Sequence, residues 1–142
     1  MRKIKYKLYH PEYGKIFRVV NIAYNKDEFI KSVTVPMKDV LPEHYGDTDL
    51  VLDFYPKHKI ELLEFTGHYD IDGIEIYTGY IVSFIASGDR SFIGAVEWNN
   101  SSASYVIKAK NHYQEYFNEV KNLKVLGNIY ENKELINETP KV

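Results

Sequence analysis

The chain reads as a mainly β protein, a β-rich α+β fold in which the second half forms a bent sheet or small SH3-like barrel with one short helix. Three observations predict this. Short runs of alternating apolar and polar residues recur along the sequence, each stopped by a Gly, Pro, Asn or Asp cluster. Asp72-Gly73, flanked by such runs, is a two-residue hairpin signal. The aromatic content is dominated by 13 Tyr and 7 Phe, which suit pleated, half-buried surfaces.

In chain order, Ile4, Tyr6 and Leu8 fall on one face of a first strand, with Lys3, Lys5 and Lys7 on the other. His10-Pro11-Glu12-Tyr13-Gly14 is a turn, and 15–24 (KIFRVVNIAY) resumes as one strand. Asn25-Lys26-Asp27 turns the chain into a strand over Phe29–Val35, which Pro36 ends. Residues 36–49 hold two prolines, a glycine and several carboxylates. They read as a loop and as a boundary between an N-terminal β subdomain, 1–49, and a module with a polar tail, 50–142, unless both form one compact domain. A short strand is expected at Leu50–Tyr55, then a break at Pro56–Lys59.

From Leu62 the pattern sharpens. Leu62–Gly67 enters a turn, Ile74 and Ile76 alternate with Glu75 and Tyr77 after Asp72-Gly73, and Gly79 marks a bulge or corner before Tyr80–Ala86. Phe92–Trp98 and Ser104–Lys108 follow, separated by polar loops. Over 111–121, Tyr113, Tyr116, Phe117 and Val120 form one apolar stripe and predict the short helix, placed to cover the core or to dock a second subunit. Leu123–Tyr130 is a strand with a bulge at Gly127, and Asn132 is placed to cap a helical turn through Leu135.

The 142 residues bury roughly 70% of the unfolded surface without staples. No cysteine is present, which excludes disulfides, thiolate zinc sites and a thiol nucleophile. No run reaches the roughly 18 apolar residues of a membrane span, and no signal-length apolar run follows the basic start, so a cytoplasmic setting is expected. His10, His44, His58, His68 and His112 have no ligand spacing, and phosphate-loop, nucleophile-elbow and dinucleotide motifs are absent. Asp70-Ile71-Asp72-Gly73 places its glycine too early for a calcium loop. Enzyme activity, cofactor and metal are accordingly not expected.

The chemistry-bearing feature is the basic start. Residues 1–18 carry Arg2, Lys3, Lys5, Lys7, Lys15 and Arg18 against one acid, Glu12, with Tyr9 and Tyr13 nearby. Such a face is able to follow a phosphate backbone with aromatic stacking, or to stand in solvent and protect an edge strand from aggregation.

Three segments together carry a family likeness: Leu62–Gly67 leading through Asp72–Gly79 to Ile81-Val82; Ile93–Trp98; and Leu126-Gly127-Asn128-Ile129-Tyr130-Glu131-Asn132 with Glu134-Leu135. In that order the chain resembles the YopX family of small phage- and prophage-encoded proteins over residues 62–135. His68, Tyr80 and Lys133 depart from the pattern, standing where the family has Leu, Asp and Pro. The resemblance implies a β-rich fold and a phage origin, in the cytoplasm of a bacterial host, and carries no activity or site residues. Two functions are expected to compete: a protein-binding or self-associating adaptor or regulator, partnered by itself or by another phage or host protein, and a nucleic-acid-binding module on the basic face.

Overall fold

A computed structural model describes residues 2–40, 49–53, 59–110 and 114–137. Residues 41–48 of the loop expected over 36–49, the end of the strand expected at Leu50–Tyr55, residues 56–58 of the break expected at Pro56–Lys59, the tail from 138, and His44, His58, His112 and Tyr113 lie outside the described residues. The chain is mainly β and divides into two compact units, Lys5–Leu63 and Met1–Ile4 with Glu64–Val142. The sequence boundary at residue 49 falls inside the first of these.

In the unit Lys5–Leu63, β1 (Tyr6–His10) and β2 (Lys15–Arg18) form a hairpin whose turn is closed by Gly14 N–H donating to His10 O at 2.9 Å. β1 lies between β2 and β6 (Glu61–Tyr69). A second sheet runs β3 (Asn21–Tyr24), β4 (Ile30–Pro36), β5 (Asp49–Asp53), followed in sequence order after β4 by the helical turn α1 (Met37–Val40). The single strand expected over 15–24 is therefore two strands in two sheets. The hand-over takes two residues: Val19 N–H donates to Tyr6 O, and Val20 N–H to Thr34 O. Alternation persists across the junction, so periodicity alone does not reveal it. Leu8, Phe17, Val33, Val35, Leu52 and Ile60 form this unit's core.

The other unit takes up β6 from Glu64, beside β7 (Glu75–Tyr77). Its main sheet is antiparallel and strongly curled, in the order β11 (Glu115–Tyr116), β10 (Ser104–Ala109), β9 (Ser91–Asn99), β8 (Tyr80–Ile85), β12 (Lys121–Asn128). Ile76, Val82, Phe84, Val96, Ile107 and Phe117 centre its core. Each fully buried aliphatic or Phe side chain of this kind contributes about 1.5–3 kcal/mol. β6 does not turn at Thr66-Gly67: it continues to Tyr69 through a register shift between Phe65 and Tyr69.

Two expectations for the C-terminal region are corrected. The helix placed at 111–121 is, among the described residues, strand β11 and a single 3-10 turn at Phe117–Glu119. Backbone pairing of Val106 with Tyr116 and Ile107 with Glu115 gives the segment a sheet edge, and sheet-favouring Tyr, Phe and Val residues offer a helix little to oppose it. Phe117 still reaches the core and Val120 packs against it. The helical turn near Leu135 exists as α2 (Glu134–Asn137), and Asn132 meets it through its backbone carbonyl, which accepts from Leu135 N–H at 3.0 Å, rather than through a side-chain cap bond. Its Oδ1 instead accepts from Asn128 N–H at 3.1 Å.

Candidate functional site

The basic residues separate when the strands form. Lys7 and Arg18 are cross-strand partners, and Tyr9 sits opposite Ile16, so these four share one face of the β1–β2 hairpin. Lys15 pairs with His10 on the other face, the one through which Leu8 and Phe17 enter the core. Tyr13 also leaves the Lys7 face: its ring meets His10 edge-on at 4.8 Å and Phe17 at 6.1 Å. Lys3 and Lys5 precede β1 rather than continuing its face, and Arg2 and Lys3 belong to the other unit.

Like charges directly opposite each other on a ribbon are unfavourable. Asp39 of α1 relieves the Lys7–Arg18 pair, its Oδ2 accepting from Arg18 Nε at 2.7 Å. Being largely exposed, that ion pair stabilises the fold by no more than about 1 kcal/mol, and its effect is to orient the guanidinium. Lys7, Lys15, Ile16, Phe17, Arg18, Lys38 and Asp39 line an open groove of about 480 Å³. Sequence reasoning missed Lys38, because nothing local connects a lysine after Pro36 to a hairpin about twenty residues earlier.

A second surface lies at the β6–β7 hairpin. Its organiser is Asp70, which the sequence reading treated only as part of a rejected calcium loop. Asp70 Oδ1 accepts from Asp72 N–H (2.8 Å) and Ile74 N–H (2.9 Å), and Oδ2 accepts from Val125 N–H of β12 (3.0 Å). Ile71 N–H adds a bond to Leu123 O at 2.8 Å, and Gly73 N–H closes the turn on Asp70 O at 3.0 Å. Burial pushes the Asp70 carboxyl up, but the three backbone donors and Lys124 outweigh it and hold the group below its ordinary value. The turn is thus fastened to β12, while Tyr69, Ile71 and Ile74 on it stand in solvent, Ile71 61% exposed. Leu126 is exposed on the strand to which the turn is tied.

The residues that carry the family likeness are occupied in holding the backbone. Thr66 Oγ1 donates to Ile76 O (2.7 Å), and Thr78 Oγ1 accepts from Glu64 N–H (2.8 Å). Asn128 Oδ1 accepts from Tyr130 and Glu131 N–H at 3.0 and 2.8 Å. Gly127 leaves room for Asn132, whose Oδ1 would lie 2.3 Å from a Cβ there. Gly79 O accepts from Ile129 N–H at 2.8 Å, joining the two motifs. The departures also pack: His68 stacks flat on Phe117 (4.3 Å, 5°), and Tyr80 leans on Tyr77 (5.5 Å). Desolvation lowers the His68 pKa, and burial, followed by the charge of Glu75, holds the Tyr77 phenol far above its ordinary value, so Tyr77 stays neutral. Among the described residues, no group of three His, Asp or Glu side chains is placed to hold a metal. No helix among them is long and apolar enough to cross a membrane.

The chain matches the YopX protein family over residues 5–137, nearly its whole length and well beyond the 62–135 that the motifs span. No curated protein matches. A solved structure, that of protein EF1440 from Enterococcus faecalis, is similar with a TM-score of 0.64 at 14% identity, covering 96% of this chain and 100% of that one. At that identity the likeness concerns the fold. The chain belongs to the YopX family.

Proposed function

We propose that this member of the YopX family is a non-enzymatic adaptor or regulator that binds a protein, either a second copy of itself or another phage or host protein. The phage or prophage origin and the bacterial cytoplasm as its setting are part of the same reading. The observation that carries it is the fastened apolar turn: Tyr69, Ile71 and Ile74 are exposed on a hairpin whose conformation is fixed by Asp70. Apolar area held in water is unfavourable by about 25 cal/mol per Å². A rigid apolar projection loses little conformational freedom on docking, which is the property of an interface anchor.

The test compares wild type with an Ile71→Glu/Ile74→Glu variant, by light-scattering mass in solution and by recovery of partners from infected cells. Both substitutions are at solvent-facing positions, so folding should persist by circular dichroism. Loss of a wild-type oligomer or partner in the variant supports the reading. A monomeric wild type that recovers the same proteins as the variant overturns it.

A further inference from the structure

The groove beside β2 has no part in the apolar turn's proposed role, and its chemistry differs. Four cations from three elements line it: Lys7 of β1, Lys15 and Arg18 of β2, and Lys38 of α1. Among the described residues that line it, one is a carboxylate, Asp39, in a chain whose formal net charge is −2. The described lining of this groove is therefore mainly cationic, although the composition of the chain is not. We propose that it binds phosphate groups, with the backbone of a single-stranded nucleic acid as the ligand.

First, the cations come from positions far apart in sequence to the edge of β2, Lys7 and Arg18 from one face of the hairpin and Lys15 from the other. Second, Asp39 engages Arg18 through Nε, which turns the guanidinium and leaves its terminal nitrogens as a fork for a tetrahedral oxyanion. A single carboxylate ligand would meet far more positive charge than it neutralises, whereas successive phosphates match it. Third, β2 ends its sheet among the described residues, so the groove follows an edge strand, and Ile16 gives it an apolar lining on the face that also carries Tyr9. An extended strand with exposed base faces fits such a surface. Arg2, Lys3 and Tyr13, which the sequence groups with these residues, are not part of the site.

The test is fluorescence anisotropy of a labelled oligothymidylate with the full chain over a salt series, together with amide NMR titration by inorganic phosphate. Three to four phosphate contacts predict that log K falls against log salt with a slope of roughly −2 to −3. Lys15→Gln and Lys38→Gln should each make that slope shallower by roughly 0.7, while Arg2→Gln/Lys3→Gln leaves it unchanged. Phosphate should shift amides of β2 and α1. Shifts with phosphate but no oligonucleotide binding would keep the groove as an anion site and overturn the nucleic acid as its ligand. Absence of both at low salt, or equal loss in the Arg2/Lys3 variant, overturns the site itself.

Discussion

Asp70→Asn tests whether one carboxylate fastens the exposed turn. The change is nearly isosteric and keeps Oδ1, which accepts from Asp72 and Ile74. It replaces Oδ2 with an amide that donates, directed at the Val125 N–H now 3.0 Å away. One charge-assisted bond is lost and a donor meets a donor, a cost of about 2–3 kcal/mol. Asp70→Ala leaves all three backbone N–H groups without the acceptor and should cost about 4 kcal/mol or more, a large share of ordinary domain stability. Urea unfolding followed by Trp98 fluorescence reads the same unit that holds Asp70. The pH dependence has a fixed sign. The native carboxyl is held below 3.8, so its contribution is complete above that value and disappears as pH falls through the lower native pKa. The gap between wild type and Asp70→Asn should be constant from neutral pH to about pH 5 and narrow below the ordinary carboxylate range. A gap under about 0.5 kcal/mol at pH 7, the size of an ordinary surface substitution, would refute the reasoning.

Further outcomes follow from the same geometry. Gly127→Ala pushes a Cβ into Asn132, 2.3 Å from its Oδ1, and should lower stability by about 1–3 kcal/mol, read as a lower thermal midpoint. Asn132→Ala removes the acceptor for Asn128 N–H and should cost about 1 kcal/mol in urea unfolding. His68→Leu keeps the apolar contact with Phe117 and should match wild type at pH 8. Because the His68 pKa is lowered in the fold, wild type should then lose stability relative to this variant as pH falls below 6.5, in parallel urea titrations at pH 8 and pH 5.5.

Strand content was legible because alternation and turn residues are local signals: the bulge at Gly127 and the runs at β8, β9 and β10 needed only neighbouring residues, and Asp72-Gly73 marked a turn, although it closes between Asp70 and Ile74 as a three-residue loop with Gly73 at positive φ rather than as the two-residue hairpin expected. What stayed hidden depends on partners distant in sequence. The 15–24 run looks uniform, yet its pairing passes from β1 to β4 at Val19-Val20. The 111–121 stripe suits a helix until β10 supplies a strand edge. Basic residues were visible as a cluster in sequence, but cross-strand register sends Lys15 and Tyr13 away from the Lys7 face, and Lys38 arrives from α1. Asp70 could not be singled out from sequence, since one of its three bonds reaches Val125, 55 residues away.

The family likeness and the two candidate surfaces fall on different residues. Thr66, Thr78, Gly79, Gly127, Asn128 and Asn132 close turns and satisfy backbone groups, which makes them good markers of the fold and leaves them little capacity to contact a partner. Tyr69, Ile71 and Ile74 lie outside that framework but depend on it through Asp70; Lys15 and Lys38 belong to the other unit. Asp70→Asn should therefore weaken protein binding along with stability and leave the salt slope of oligonucleotide binding untouched, while Lys38→Gln should do the reverse. Partner recovery that survives loosening of the turn would mean that rigidity is not what the Asp70 network contributes to binding.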